Sequence, residues 1–283
     1  MRTWSDADEL PVADGGEGTL AALHAALGGE WHEVDVHDAF GRQRTASWLE
    51  LPGGTAAVEA AQAIPLDPTR LDPMNASSRG LGELIAAVGG PRALLVCLGG
   101  TANVDGGAGM REVVRKLPAP ARVACDVDAP LLDAARVFAA QKGATADQAR
   151  ELESRLCAMD ELHDVADLPG AGAAGGLGAA LAALGAELVR GAELVFDLIR
   201  FDPRGYDLAV TGEGTVDATT VRGKAPGEVL RRCAAAGVRC ILFGGRVVEA
   251  PAAVETISLS GDPSRARADL EDLGVRLGRS VEE

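Results

Sequence analysis

Ala93-Leu94-Leu95-Val96-Cys97-Leu98-Gly99-Gly100-Thr101-Ala102-Asn103-Val104-Asp105-Gly106-Gly107-Ala108-Gly109 is the stretch on which the reading of this chain turns. Ala93 to Leu98 is an uninterrupted apolar run, too short for a helix of ordinary length and suited to a buried parallel strand. Five glycines occupy the next eleven residues, Gly99 to Gly109, and Met110 to Lys116 then reads as a helix. Strand, glycine-rich loop and helix together make a cradle for phosphate, built from backbone N–H groups and a helix N-terminus. Gly99, Gly100, Thr101, Gly106 and Gly107 are the candidate phosphate contacts, and Asp105 places a carboxylate in the same loop, suited to a metal.

Upstream, His32 to His37, Gln43 to Leu51 and Thr55 to Val58 read as short strands joined by glycine turns, an antiparallel meander. Leu66 to Ser78 reads as loop, Leu20 to Leu27 and Gly82 to Val88 as helices. Downstream, Arg122 to Cys125, Asp207 to Val210 and Val238 to Phe243 are further apolar runs ending in glycine or an acid. Ala146 to Asp160, Gly175 to Val189 and Pro226 to Ala236 carry helical patterns between them. Such alternation predicts an α/β protein with ligands at the carboxyl ends of strands.

Composition excludes several function classes. A net charge of −15 with 3% aromatic residues argues against nucleic acid, which is held through Lys and Arg and by base stacking. No stretch is apolar for the ~20 residues that a membrane span needs, and no basic segment followed by an apolar one suggests a leader. The five scattered cysteines form no CxxC pair, which fits reduced thiols in the cytoplasm and no structural zinc. The four histidines fall in helix, strand and surface contexts and are read as structural. Of 27 basic residues only Lys116, Lys142 and Lys224 are lysine. Two of them flank glycine, in Gln141-Lys142-Gly143 and Gly223-Lys224, where a compact point charge suits phosphate.

Further motifs fall at element ends. Asp14-Gly15-Gly16-Glu17-Gly18-Thr19 combines two carboxylates with glycines that let backbone approach a ligand. Asp126 ends the strand Arg122 to Cys125, where a catalytic acid belongs in an α/β site. Thr211-Gly212-Glu213-Gly214-Thr215-Val216-Asp217, with Lys224 after it, is read as a second loop suited to phosphate or magnesium. Gly170-Ala171-Gly172-Ala173-Ala174-Gly175 matches GxGxxG, but Asp164 to Pro169 before it is no apolar strand, so nicotinamide binding is disfavoured. No P-loop, HExxH, GxSxG or protein-kinase set is present.

Taken in order, these blocks resemble the bacterial class I glycerate kinase family (glycerate 2-kinase type) along nearly the whole chain. The resemblance is carried by Pro11 to Thr19, Gly99 to Met110, Cys125-Asp126-Val127, Val137 to Thr145, Pro169 to Gly176, Thr211 to Asp217 and Gly223-Lys224. It implies ATP-dependent phosphorylation of D-glycerate at its 2-hydroxyl. It also implies two α/β domains with the active site in the cleft between them: a flavodoxin-like domain with a parallel sheet, from residues 1–13 and 196–283, and an inserted mixed-sheet domain, 14–195. Three departures stand out. The strand and Asp-Ser-Phe-Lys-Gly-like loop with which the family opens have no counterpart ahead of Pro11. Val104 stands where the family carries a polar residue, and Asp126 to Phe138 is shortened, with Asp128-Ala129 before Pro130.

Roles follow as expectations of that resemblance. ATP and Mg2+ are the cofactors, with the triphosphate on the Gly99 to Gly109 loop, Gly212 and Gly214. Lys142 or Lys224 neutralises the transferring phosphoryl group. Asp105, Glu213 or Asp217 holds magnesium. Asp14 or Asp126 accepts the hydroxyl proton, and Ser77, Ser78 and Arg79, with Glu17, bind the acid. The partners are small molecules, with a homo-oligomer compatible. Two alternatives remain: a kinase of another small hydroxy acid, and a non-catalytic ligand-binding relative.

Overall fold

The structure, a computed structural model, describes residues 7–221 and 223–280. Residues 1–6 of the expected first segment lie outside them. The chain divides into two compact units, a large one of Pro11–Ile199 and a small one of residues up to Leu10 with those from Arg200 onward. The second boundary falls beyond 195 because the helix Gly191–Leu198 buries Leu194, Val195 and Phe196 inside the large unit.

The large unit begins with α1 (Thr19–Leu27), then β1 (Glu30–His37), β2 (Gln43–Leu51), β3 (Thr55–Glu59), the short α2 (Ala60–Ala63) and α3 (Arg79–Ala87). Next come β4 (Ala93–Cys97), α4 (Ala108–Val113), β5 (Ala121–Cys125), α5 (Asp133–Arg136), the 3-10 turn Ala140–Lys142 and α6 (Ala146–Cys157). It closes with α7 (Ala173–Ala183), β6 (Glu187–Arg190) and α8 (Gly191–Leu198). The six strands form one sheet in sequence order, antiparallel from β1 to β3 and parallel from β3 to β6. Right-handed crossovers between strands laid down in order put every connecting helix on one face. There Leu81, Leu84, Met110, Leu152, Leu156, Leu177 and Leu181 pack on Val58, Val96 and Val123. On the other face Leu20 and Leu23 of α1 and Leu194 and Val195 of α8 cover Leu49, Ala57, Leu95 and Ala124. Both faces of β4 are thus dry, which is why it reads as an unbroken apolar run, whereas β6 at the sheet edge keeps Glu187 and Arg190 exposed.

Two expectations in this unit are corrected. The helix expected over 175–189 stops at Ala183, because left-handed Gly185 (φ 90°) ends it with Ala186 N–H on Leu181 O and Gly185 N–H on Ala182 O. The remainder becomes β6 beside β5. The helix after the glycine-rich loop runs Ala108–Val113 rather than through Lys116.

The small unit carries β7 (Leu208–Val216), α9 (Ala225–Ala236), β8 (Arg239–Val247), β9 (Glu255–Ser258) and α10 (Ala266–Ser280). Its strands are parallel in the order β7-β8-β9, and Ile241, Leu273 and Leu277 form its small core. Here the expected loop Thr211 to Asp217 is corrected: β7 continues through Val216, paired with β8 from Leu208↔Arg239 to Val216↔Val247. Of its glycines Gly212 serves packing, while a methyl group on Gly214 would meet nothing within 4 Å. A methyl group on Gly212 would meet the Phe243 ring at 2.6 Å, and one on Gly245 would meet Gly214 O at 2.8 Å. No helix among the described residues is long and apolar enough to cross a membrane.

Candidate active site

The carboxyl ends of β3, β4, β5 and β6 lie side by side, and the Asp14–Gly18 loop is seated on them. A methyl group on Gly99 would lie 2.3 Å from Gly16 Cα, and one on Gly191 would lie 2.0 Å from Asp14 O. Gly15 (φ 93°) sits against Ala124 at the end of β5. Side chains at Gly99, Gly191 or Gly15 would therefore push the loop off the sheet edge, so these glycines place Asp14 beside the strand ends. Glu17 is exposed over Gly100, whose added methyl would sit 3.7 Å from the Glu17 carboxylate.

Beside this loop is a cavity of about 230 Å3, lined by residues that include Thr101, Asp126, Gln141, Lys142, Ala174 and Gly175. Lys142 is 4% exposed, and its Nζ donates to Asn103 O at 2.7 Å and to Thr101 Oγ1 at 3.4 Å. Burial lowers its ammonium to about 8, against the opposing pull of Asp126 and Asp105. Asp126 reaches solvent, yet the protein packed around it raises its pKa through desolvation, and the Asp14 charge raises it further, while Lys142 works the other way. A carboxylate shifted toward neutrality facing a lysine lowered toward neutrality is an arrangement suited to moving a proton and stabilising negative charge. Of the five glycines in the loop, Gly100 (φ 68°) is exposed, and the amides of Gly99 and Gly100 have no acceptor among the described residues.

The second half of that loop is otherwise committed. Asp105 Oδ2 accepts from Ser78 N (2.8 Å), Ser78 Oγ (2.7 Å) and Gly109 N (3.1 Å), and its Oδ1 accepts from Asn103 Nδ2 (2.9 Å) and Gly107 N (3.1 Å). Five donors fill the roughly four lone-pair sites of a carboxylate and leave none for a metal. Gly106 N donates to Gly175 O at 3.0 Å, and Met110 N to Ser78 Oγ at 2.9 Å. The expected phosphate contacts at Gly106 and Gly107 are therefore replaced by internal bonds, and the short α4 is already capped. Ser78 is fully buried in this network, and Ser77 Oγ accepts from Arg79 N at 3.2 Å. Arg79 is held by Glu83 and Glu112, each at 3.0 Å. None of the three lines the cavity. Replacing Asp105 with alanine strands several inward-facing donors and is expected to cost about 3 kcal/mol or more. Urea denaturation of Asp105→Ala measures this, and a loss below about 1 kcal/mol would contradict the network's role.

The block Pro169 to Gly176 buttresses the cavity rather than a dinucleotide. Ala174, Gly175 and Gly176 all take left-handed conformations, and a methyl on Gly175 would lie 2.0 Å from Asn103 O. Ala174 O accepts from Asn103 Nδ2 at 3.1 Å. Val104, one of the departures noted above, is buried in the core. In the small unit Lys224 Nζ lies 3.2 Å from Glu213 Oε2, and Glu213 Oε1 is buried without a partner among the described residues. Asp217 Oδ1 accepts from Thr219 N and Thr219 Oγ1, which lowers its pKa. No group of three potential metal ligands occurs among the described residues.

Gln141 is a polar cavity residue that is not among the candidates named from the sequence. Its place beside Lys142, in a turn closed by left-handed Gly143, was the available signal. Burial keeps the two thiols near the strand ends protonated: Cys97 is raised, and Cys125 is pushed up to about 12.

A family model described as the glycerate kinase family matches residues 2–117 and 112–262. The chain is 38% identical over 267 residues to a glycerate 2-kinase of Escherichia coli, spanning 77% of this chain and 70% of that protein. It is 37% identical over 286 residues to a glycerate kinase of Halalkalibacterium halodurans, spanning 83% and 75%. A crystal structure of a candidate glycerate kinase 2 from Salmonella typhimurium superposes with a TM-score of 0.78 at 30% identity, covering 99% of this chain and 91% of that one.

Proposed function

The chain belongs to the glycerate kinase family, and from that premise we propose that it transfers the γ-phosphoryl group of ATP to the 2-hydroxyl of D-glycerate. The observation that carries the reading is the cavity in which Asp126 and buried Lys142 face the same space. The hydroxyl oxygen attacks the γ-phosphorus, the bond from that phosphorus to the ADP oxygen breaks, and the hydroxyl proton passes to Asp126. A base raised toward neutral pH is suited to that transfer. Of the two candidate bases, Asp126 is preferred because it lines the cavity, while Asp14 acts on it through charge.

Lys142 already donates to Asn103 O and Thr101 Oγ1, which leaves one N–H of its ammonium for the transferring phosphoryl oxygens. The free amides of Gly99 and Gly100, with the Thr101 hydroxyl, bind phosphate oxygens. Gln141 offers both a donor and an acceptor to the carboxylate and hydroxyl of the acid. Ser77, Ser78 and Arg79 have no place in this reading.

Magnesium is usually held by substrate phosphates, water and one or two carboxylates. Glu213, with an unpartnered oxygen, fits that need, and Asp105 does not. The ion would neutralise phosphate charge. Three of the five free cysteines are buried, and we place the enzyme in the cytoplasm on that ground.

Phosphorus and proton NMR of the product tests the acceptor position. Phosphorus coupled to the C2 proton is expected. Coupling to the C3 protons would move the transfer to the other hydroxyl.

A further inference from the structure

The start of α1 poses a problem that its own sequence does not solve. The first amides of a helix need acceptors, usually from an N-cap side chain. The N-cap of α1 is Gly18 (φ 89°), which has no side chain, and no acidic residue lies in the first turn. Thr19 N reaches Gly16 O at 3.3 Å, but Leu20 N donates at 2.7 Å to Glu59 Oε1, from the far end of β3. Glu59 is only 2% exposed, a costly place for a carboxylate unless it serves as an acceptor. Its negative charge also suits the positive end of the helix.

The placement of Glu59 gives this cap a consequence. Side chains alternate along β3, so Glu59 shares a face with Ala57, the face covered by α1, whereas Val58 points into the other core. Glu59 is paired in register with Cys97, two residues before Gly99. Upstream of α1, the Asp14–Gly18 loop is held by Ala124, Gly191 and Gly99. Downstream, its polar anchor to the sheet is the Leu20–Glu59 bond. The loop that carries Asp14 and Glu17 is thus stretched between two fixings on the sheet edge, and Glu59 is one of them.

We infer that Glu59 is a positioning residue of the phosphoryl-transfer site: it caps α1 from the neighbouring strand and so holds the Asp14–Gly18 loop, with Asp14, against Asp126. This rests on the kinase reading for its catalytic consequence, but the positioning itself can be read without turnover. The charged groups facing Asp126 are Asp14, from this loop, and Lys142, from the 3-10 turn. If the cap is lost and Asp14 withdraws, Asp126 loses its like-charge neighbour and titrates lower.

The test compares Glu59→Leu, which removes the acceptor, and Glu59→Asp, which shortens it, with Glu59→Gln, which keeps a carbonyl oxygen in reach. Carbon NMR of the Asp126 carboxyl gives the titration midpoint, and hydrogen exchange gives the protection of the Leu20 amide. In Glu59→Leu and Glu59→Asp the midpoint is expected to fall by about half a unit or more. Leu20 exchange accelerates in both, and kcat with D-glycerate drops about 10- to 100-fold, with its acid limb moved to lower pH. Glu59→Gln stays near wild type in all of these. If Glu59→Leu does not fold, Glu59→Asp carries the same comparison. An Asp126 midpoint unchanged in Glu59→Asp, or a Glu59→Gln variant as impaired as Glu59→Asp, overturns the inference. A wild type that titrates as expected but does not turn over glycerate overturns the kinase reading instead.

Discussion

Lys142→Met is expected to lower kcat about 10³-fold while the melting temperature stays at or above that of the wild type. The rate loss follows from removing the cation that meets charge developing on the transferring phosphoryl group. The unchanged stability follows from linkage. The Lys142 ammonium is lowered by burial from 10.5 to about 8, a shift of about 3 kcal/mol against the charged form in the folded state. Below about pH 8 the lysine is charged in both folded and unfolded chains, so that cost is fully present at neutral pH. Between about 8 and 10.5 the folded protein releases the proton first, and stability contributed at this residue rises with pH. Methionine removes the charge and keeps most of the volume. It also leaves Asn103 O without its donor, a loss of about 1–2 kcal/mol that offsets part of the gain. In the wild type, kcat should fall as pH rises through about 8, when the ammonium is lost, and this basic limb should be absent from the residual activity of the variant. A variant that keeps wild-type turnover, or that loses turnover only by unfolding, would remove Lys142 from the chemistry.

Asp126→Asn is expected to reduce kcat by about 10²- to 10⁴-fold, with the KM for ATP little changed. An amide has the shape of the carboxylate but cannot take the hydroxyl proton. Because the folded-state pKa is raised, the native protein binds the proton more tightly than the unfolded chain, so this residue's contribution to stability falls as pH rises through the raised value. Asparagine therefore leaves stability at neutral pH unchanged or improved. The acid limb of the kcat profile, set by protonation of Asp126, should vanish in the variant. A limb that persists would transfer the base role to another carboxylate, with Asp14 next in line.

Much of this site was legible in the sequence, for physical reasons that differ along the chain. The strand Ala93 to Cys97 and its glycine-rich sequel were readable because a parallel strand buried on both faces must be apolar throughout. Lys142 stood out because lysine is scarce in this chain. The partition of that loop was not readable. Composition cannot say that Gly100 faces solvent while a methyl on Gly107 would lie 2.3 Å from Ala180 Cβ, since both uses demand glycine. Asp105 looked like a metal ligand for a related reason: a carboxylate among amides serves a cation or the amides themselves, and only the hydrogen bonds distinguish them. Thr211 to Val216 carries the same ambiguity: it is strand paired with β8 rather than loop, and Gly212 makes room for Phe243. Glu59 was invisible because it acts across 39 residues of sequence, on a helix whose own cap position is glycine.

The most direct test of the kinase reading is the initial rate of ADP release by the wild-type chain with ATP, magnesium and D-glycerate, run beside L-lactate and an acid-free control. Release that depends on D-glycerate and exceeds both controls is the predicted result. Folded protein that releases ADP no faster with D-glycerate than without any acid would contradict it.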